Sequence, residues 1–230
     1  MAGSMEEEGE ERLVRVGAGA VTLEGNLSLP KGADGVVLFA HGSGSSRHSP
    51  RNRYVAALLN QAKLATLLVD LLTSDEEAID MQTAHLRFDI GLLAERLVAV
   101  TDWLTQNPET RHLRVGYFGA STGAAAALVA AAERADVLGA VVSRGGRPDL
   151  AGPALPRVRA PTLLIVGGND FQVIELNRAA LAQLRCEKQL VIVPGATHLF
   201  EERGALDEVA RLAREWFERH LKQQPARPSV

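Results

Sequence analysis

Six short apolar runs constrain this chain more than any other feature: Val36–Ala40, Ala65–Val69, Leu113–Phe118, Val137–Val142, Thr162–Val166 and Leu190–Val193. Such runs fit strands buried on both faces, as in a parallel sheet with helices above and below. Helical patterns lie between them. Tyr54–Gln61 is one, and Ile90, Leu93, Leu97, Val100 and Leu104 form a one-sided stripe. Alanine-rich Gly123–Glu133 can pack close to a sheet. Val173–Leu184 follows, and then Leu206, Val209, Ala210, Ala213, Trp216 and Phe217. Strand and helix alternate, which predicts an α/β class with a mostly parallel, doubly wound sheet. Ahead of it, Val14–Val16 and Val21–Leu29 alternate around Gly17–Gly19, which predicts an N-terminal antiparallel hairpin. Ser74–Asp80 reads as a loop.

The length, 230 residues, suits one large domain or two small ones, and no repeat or long linker divides it. The organisation expected is a disordered acidic tail over 1–11, a single domain over 12–222 and a short tail over 223–230. Residues 1–11 hold five glutamates and no base; setting them aside moves the net charge from -3 to +2. That is too weak for a nucleic-acid footprint. One cysteine, Cys186, excludes an internal disulfide framework and any multi-cysteine zinc site. The longest apolar run, Ala124–Ala132, has nine residues against the twenty or so of a membrane span. No basic and then apolar stretch opens the chain, so a cytoplasmic location is expected.

Ligands of doubly wound sheets bind beyond the carboxyl ends of the strands. The residues there carry chemistry. Leu113–Phe118 is followed by Gly119-Ala120-Ser121-Thr122-Gly123 and then a helix, which is G-x-S-x-G in a strand–turn–helix context. Such a turn lifts the serine hydroxyl above the sheet at a helix N-terminus, where backbone N–H groups favour a developing negative charge. A plain glycine-rich turn with a capping serine would look similar. A serine nucleophile also needs a base and an orienting acid. Asp170 follows Thr162–Val166 in Gly167-Gly168-Asn169-Asp170, and His198 follows Leu190–Val193 in Pro194-Gly195-Ala196-Thr197-His198. The order Ser121, Asp170, His198 is that of an α/β-hydrolase triad. After Val36–Ala40 comes His41-Gly42-Ser43-Gly44-Ser45-Ser46. Such a loop supplies one oxyanion N–H and the residue after the nucleophile the other, so the donors expected are the amides of Ser43 and Thr122. His41 is read as a brace for that loop.

At these residues the sequence resembles the α/β-hydrolase superfamily, and within it the small, lidless dienelactone-hydrolase-like branch. The resemblance covers roughly Leu13–Leu221 and rests on HGSGSS, GASTG, GGND and GATH. Dienelactone hydrolases proper use a cysteine nucleophile, whereas this elbow carries Ser121. Cys186, in LRCEKQL, is read as a buried packing residue. The resemblance implies an ester-type hydrolase with no lid domain.

Arg47 and Arg51 follow the oxyanion loop, and Arg144 lies in Ser143-Arg144-Gly145-Gly146-Arg147. These three could bind an anionic substrate group, or form ion pairs with acids such as those of Ser74–Asp80. Asp70 could serve as an acid for His198 but is read as a loop hydrogen-bonding residue; His85 and Phe88 could line a pocket but are read as core or cap, and Trp103 and Trp216 as core. The stretch from Val142 to Pro161 is too short and too rich in proline and glycine for a helical lid, so the pocket should be shallow and open. The function expected is a serine hydrolase of small carboxylic esters or lactones, working through an acyl-enzyme. It needs no metal and no organic cofactor. Its expected partner is the small-molecule substrate, without nucleic acid or membrane, and a homodimer is compatible with the sequence. Two other readings fit parts of the pattern. One is a non-catalytic binding protein on a hydrolase scaffold. The other is an NADP-dependent oxidoreductase with GASTGAA as its phosphate turn, although the spacing is not G-x-G-x-x-G.

Overall fold

A computed structural model describes residues 11–222. Within it lie β1 (Arg12–Ala18), β2 (Val21–Ser28), β3 (Gly35–Ala40), α1 (Pro50–Gln61), β4 (Leu64–Val69), α2 (Ser74–Thr83), α3 (Ile90–Gln106) and β5 (Arg114–Ala120). There follow α4 (Thr122–Glu133), β6 (Leu138–Arg144), β7 (Thr162–Gly167), α5 (Phe171–Gln183), β8 (Lys188–Val193) and α6 (Ala205–Leu221). The eight strands form one sheet in the order β1-β2-β4-β3-β5-β6-β7-β8. The β1–β2 hairpin is antiparallel, and β2 also runs antiparallel to β4; β3 through β8 pair in parallel. The hairpin and the parallel body are those expected from the sequence, with each apolar run a strand to within a few residues.

The reason lies in burial. Every residue of β3, β4, β6 and β7 is buried, so no residue of those strands had to be polar for a wet face. One apolar layer joins the sheet to α3 and α4 through residues such as Leu97, Val100, Leu104 and Ala127. A second joins the other face to α1 and α6 through Val55, Leu59, Val209, Ala213 and Phe217. Trp216 is buried in this second layer, and Trp103 packs half-buried on the first.

Two expectations fail. Ser74–Asp80 is not a loop but the body of α2, opened by a capping box: Thr73 Oγ1 accepts from Glu76 N and Glu76 returns to Thr73 N. Phe88 and His85 are neither core nor cap: both are exposed, and the His85 side chain caps nothing. The segment between β6 and β7 forms 3-10 turns over Pro148–Arg157 that pack on α4 and α5, not a lid. Glu11 belongs to the fold, accepting a hydrogen bond from Asn26 at 2.8 Å. The rest of the expected acidic tail and the tail over 223–230 lie outside the described residues. No described helix is long and apolar enough to cross a membrane.

Candidate active site

The turn from β5 into α4 is built by close approach. Ser121 takes φ 51° and ψ -120°, a conformation that side chains rarely adopt and that stores about 1–3 kcal/mol of strain. Its amide donates to Arg144 O at 3.2 Å, and its carbonyl accepts from Ala124 N and Arg147 N, both at 3.1 Å. A Cβ at Gly119 would stand 2.4 Å from Ala124 Cα, and one at Gly123 would stand 2.3 Å from Ala40 O. Both glycines of the motif are therefore demanded by packing. Ser121 holds the N-cap position of α4, yet its hydroxyl caps nothing. The hydroxyl is free for another task.

Asp170 likewise occupies the N-cap position of α5 without a side-chain capping bond. Its Oδ2 instead lies 2.6 Å from His198 Nδ1. The loops carrying the two are tied together by backbone: Gly168 N donates to Val193 O at 2.8 Å and Asn169 N to Ala196 O at 2.9 Å. The Asn169 side chain adds a bond to Gly195 O at 2.9 Å. Asp170 is largely covered, at 15% side-chain exposure, while the imidazole is 39% exposed. The ring lies over Gly145, where a Cβ would be 3.5 Å from Cε1. Gly145 follows the residue whose carbonyl holds the Ser121 amide. The three residues of the expected triad therefore stand at the ends of β5, β7 and β8, with the imidazole against the strand end between them.

The loop after β3, expected from the sequence to supply an oxyanion donor, is braced by His41. Its Nε2 accepts from Leu71 N at 3.1 Å, which leaves the proton on Nδ1 to donate to Gly42 O at 3.0 Å. Burial pushes its pKa down and keeps the ring neutral. Ser43 and Thr122 are adjacent as expected, but with a difference. The Ser43 amide is not free: it donates to Thr122 Oγ1 at 2.9 Å. A threonine at the first position of α4 brings its own acceptor to the donor pair, which the backbone argument alone does not anticipate.

Of the three arginines, Arg47 is not free for substrate. Its guanidinium is ion-paired with Asp70 and with Glu24, the latter at 2.9 Å, and its amide donates to Asp70 Oδ1 at 2.6 Å. Asp70 thus serves the loop. Arg51 reaches Glu201 at 3.3 Å, and Arg144 is buried beneath the elbow. A cavity of about 220 Å³ opens beside the oxyanion loop, walled by Ser43, Thr122, Leu72, Glu77, Met81 and Arg87. Part of this wall, Glu77, Asp80 and Met81, comes from α2, and neither Ser121 nor His198 lines the cavity. Cys186 is half-buried at the opposite edge of the sheet, 3.7 Å from Thr162 Oγ1. Among the described residues no group of acids, histidines and cysteines is arranged to hold a metal.

Residues 28–223 match the family model described as "Dienelactone hydrolase family". The chain belongs to the dienelactone hydrolase family. It is 68% identical to a dienelactone hydrolase from Anabaena variabilis of known structure, with a TM-score of 0.92 over 93% of this chain and 99% of that one. A serine hydrolase from Xanthomonas campestris, described as without a lid, shares the fold at 19% identity and a TM-score of 0.74, covering 94% of this chain and 97% of that one. Two curated Mycobacterium tuberculosis proteins, each named "Putative phosphoribosyl transferase", are 60% identical over 208 residues, which is 90% of this chain and 46% of theirs. The chain spans about half the length of those curated relatives. Family and fold are those of hydrolases.

Proposed function

We propose that this protein is a serine hydrolase that cleaves small carboxylic esters or lactones through an acyl-enzyme. The observation that carries the reading is the 2.6 Å contact of Asp170 with His198 Nδ1 beyond the ends of β7 and β8, on the same edge of the sheet as a strained, uncapped Ser121 at the end of β5. Asp170 fixes the proton on Nδ1, which leaves Nε2 as the base. In the first half of the reaction, Ser121 Oγ attacks the carbonyl carbon while His198 takes its proton. The tetrahedral oxyanion then collapses and expels the alcohol, which leaves with the proton from His198. Water repeats the cycle on the acyl-enzyme and restores Ser121. The Thr122 amide and the Ser43 amide, the latter shared with or released from Thr122 Oγ1, serve the oxyanion.

The cavity beside Ser43 suits a small acyl group, being below the 300–1,000 Å³ or so that holds a drug-sized ligand. In its wall Asp80 is neutralised by Arg87 at 2.6 Å, while no base bonds Glu77 among the described residues. That favours an uncharged acyl group there. The transferase name attaches to proteins of which this chain matches less than half, so it does not guide the reading.

A fluorophosphonate probe with a panel of p-nitrophenyl esters tests the proposal. Ser121 should be labelled, and acyl chains of two to four or so carbons should be turned over faster than those of ten or more. Absence of labelling at Ser121 in folded protein would mean a binding protein on a hydrolase scaffold.

A further inference from the structure

Arg144 is 7% exposed, and among the described residues no carboxylate bonds it. Among the described residues its side chain makes one hydrogen bond, Nη2 to Asn52 Oδ1 at 3.4 Å, and its Nε, like those of Arg47, Arg51, Arg96 and Arg134, is buried with no partner. Every other well-covered arginine in the fold has an acid. Arg96 has Glu76 at 2.7 Å, Arg47 has Asp70 and Glu24, Arg87 has Asp80, and Arg134 has Asp102. Buried cations are rarely left unpaired, because the desolvation they suffer is returned only by an anion.

The surroundings add positive charge and almost no negative charge. Asn52 lies in the first turn of α1, which contains no acidic residue. Arg51 stands in the same turn, close enough for its charge to act with burial in pushing the Arg144 pKa down to about 10. Arg51 has its own buried and unpartnered Nε, and its acid, Glu201, is 63% exposed. The helix N-terminus contributes further positive potential. Ser49 Oγ accepts from Asn52 N and Ser49 O from Arg53 N, while Pro50 has no N–H, so the Arg51 amide is the remaining donor of that turn.

The geometry points to an anion site between the end of β6 and the first turn of α1, formed by Arg144, Arg51 and the Arg51 amide, that takes a phosphate-class oxyanion. Two guanidinium groups, one from β6 and one from α1, with a backbone N–H of α1, match an anion with several acceptor oxygens better than a single carboxylate. The anion has two sources of the same chemistry, free phosphate or a phosphate group on the ester being cleaved. The second source rests on the hydrolase reading, since the Arg144 carbonyl holds the Ser121 amide; the first does not.

The test measures thermal unfolding of the full chain in sodium phosphate against sodium chloride of equal ionic strength. Wild type should gain roughly 5 °C at phosphate concentrations near a hundred times Kd, and the gain should disappear in Arg51→Gln and Arg144→Gln. Arg51→Gln, at a partly exposed position, serves if Arg144→Gln does not fold. The same gain in Ser121→Ala shows that binding is separate from catalysis. Matched esters with and without a phosphate group then distinguish the sources. A tenfold or greater preference for the phosphorylated ester that Arg51→Gln abolishes, with free phosphate raising KM and leaving kcat unchanged, identifies the substrate group. No preference, with KM unmoved by phosphate and the Tm gain retained, identifies the free anion. A wild-type gain no larger than in chloride, or an equal gain in both arginine variants, overturns the site. Failure of Ser121 labelling would overturn the hydrolase reading and leave the phosphate result standing.

Discussion

Gly123→Ala tests the elbow more sharply than removal of the nucleophile, because the structure sets its magnitude. The new Cβ would lie 2.3 Å from Ala40 O and 2.4 Å from His41 O, both backbone atoms with no side chain to rotate away. Ordinary contact begins at 3.4 Å, so α4 and the oxyanion loop must separate by about 1 Å. A misplacement of that size at a catalytic constellation costs roughly 100-fold in rate, or about 2.7 kcal/mol. Overpacking of this kind also costs about 1–3 kcal/mol of stability, which for a domain of this size lowers Tm by roughly 2–12 °C. The assay is kcat/KM on a short p-nitrophenyl ester, normalised to sites labelled by fluorophosphonate, with Tm measured on the same sample. Gly17→Ala is the control, since nothing lies within 4 Å of its added Cβ. Activity within threefold of wild type and an unmoved Tm would refute the claim that backbone approach dictates this glycine.

Asp170→Asn should keep the fold, because the carboxylate makes no capping bond, and should lower kcat by something on the order of 10⁴ as the imidazole loses its orienting partner; single-turnover kinetics would expose a smaller, structural role. Thr122→Val removes the acceptor of the Ser43 amide while keeping shape, so kcat/KM should fall about tenfold and Thr122→Ser should restore it; a rise in kcat would mean that the hydroxyl obstructs the oxyanion site. Burial lowers the pKa values of His41 and His220, so below their ordinary value of 6.5 the unfolded chain binds more protons than the folded one. Stability should therefore decline as pH falls through about 6.5, and His41→Asn should flatten the decline in chemical denaturation curves.

The central parallel strands were legible because burial on both faces leaves a direct trace, a mostly apolar run broken internally only by Thr66 and Arg114. Helix α2 leaves no such trace. Asp80 is its buried residue, while Met81 is 71% exposed, so no apolar stripe marks it. The signal that could have found it is the Thr73-x-x-Glu76 capping box. The strand-end positions of Ser121, Asp170 and His198 were legible because each directly follows an apolar run, and strand ends converge in this architecture. The fates of the arginines were not legible. Arg47 is neutralised by Glu24, a residue brought near when β2 pairs with β4, and nothing local to Arg47 foretells that register. Arg144 stands out only once every neighbour is known. The bond between Ser43 and Thr122 joins residues 79 apart in the chain and depends on a rotamer, which spacing cannot encode.

The positive φ of Ser121 has an evolutionary consequence. Glycine adopts that conformation without strain, and the loss of one hydroxyl from a residue with no capping bond removes little that holds the fold together. The proposed nucleophile therefore occupies a position where foldability alone prefers a different residue. Lineages under selection for robustness and released from selection for turnover would drift first at Ser121. They would keep the sheet, the Asp170–His198 pair and the oxyanion loop while falling catalytically silent.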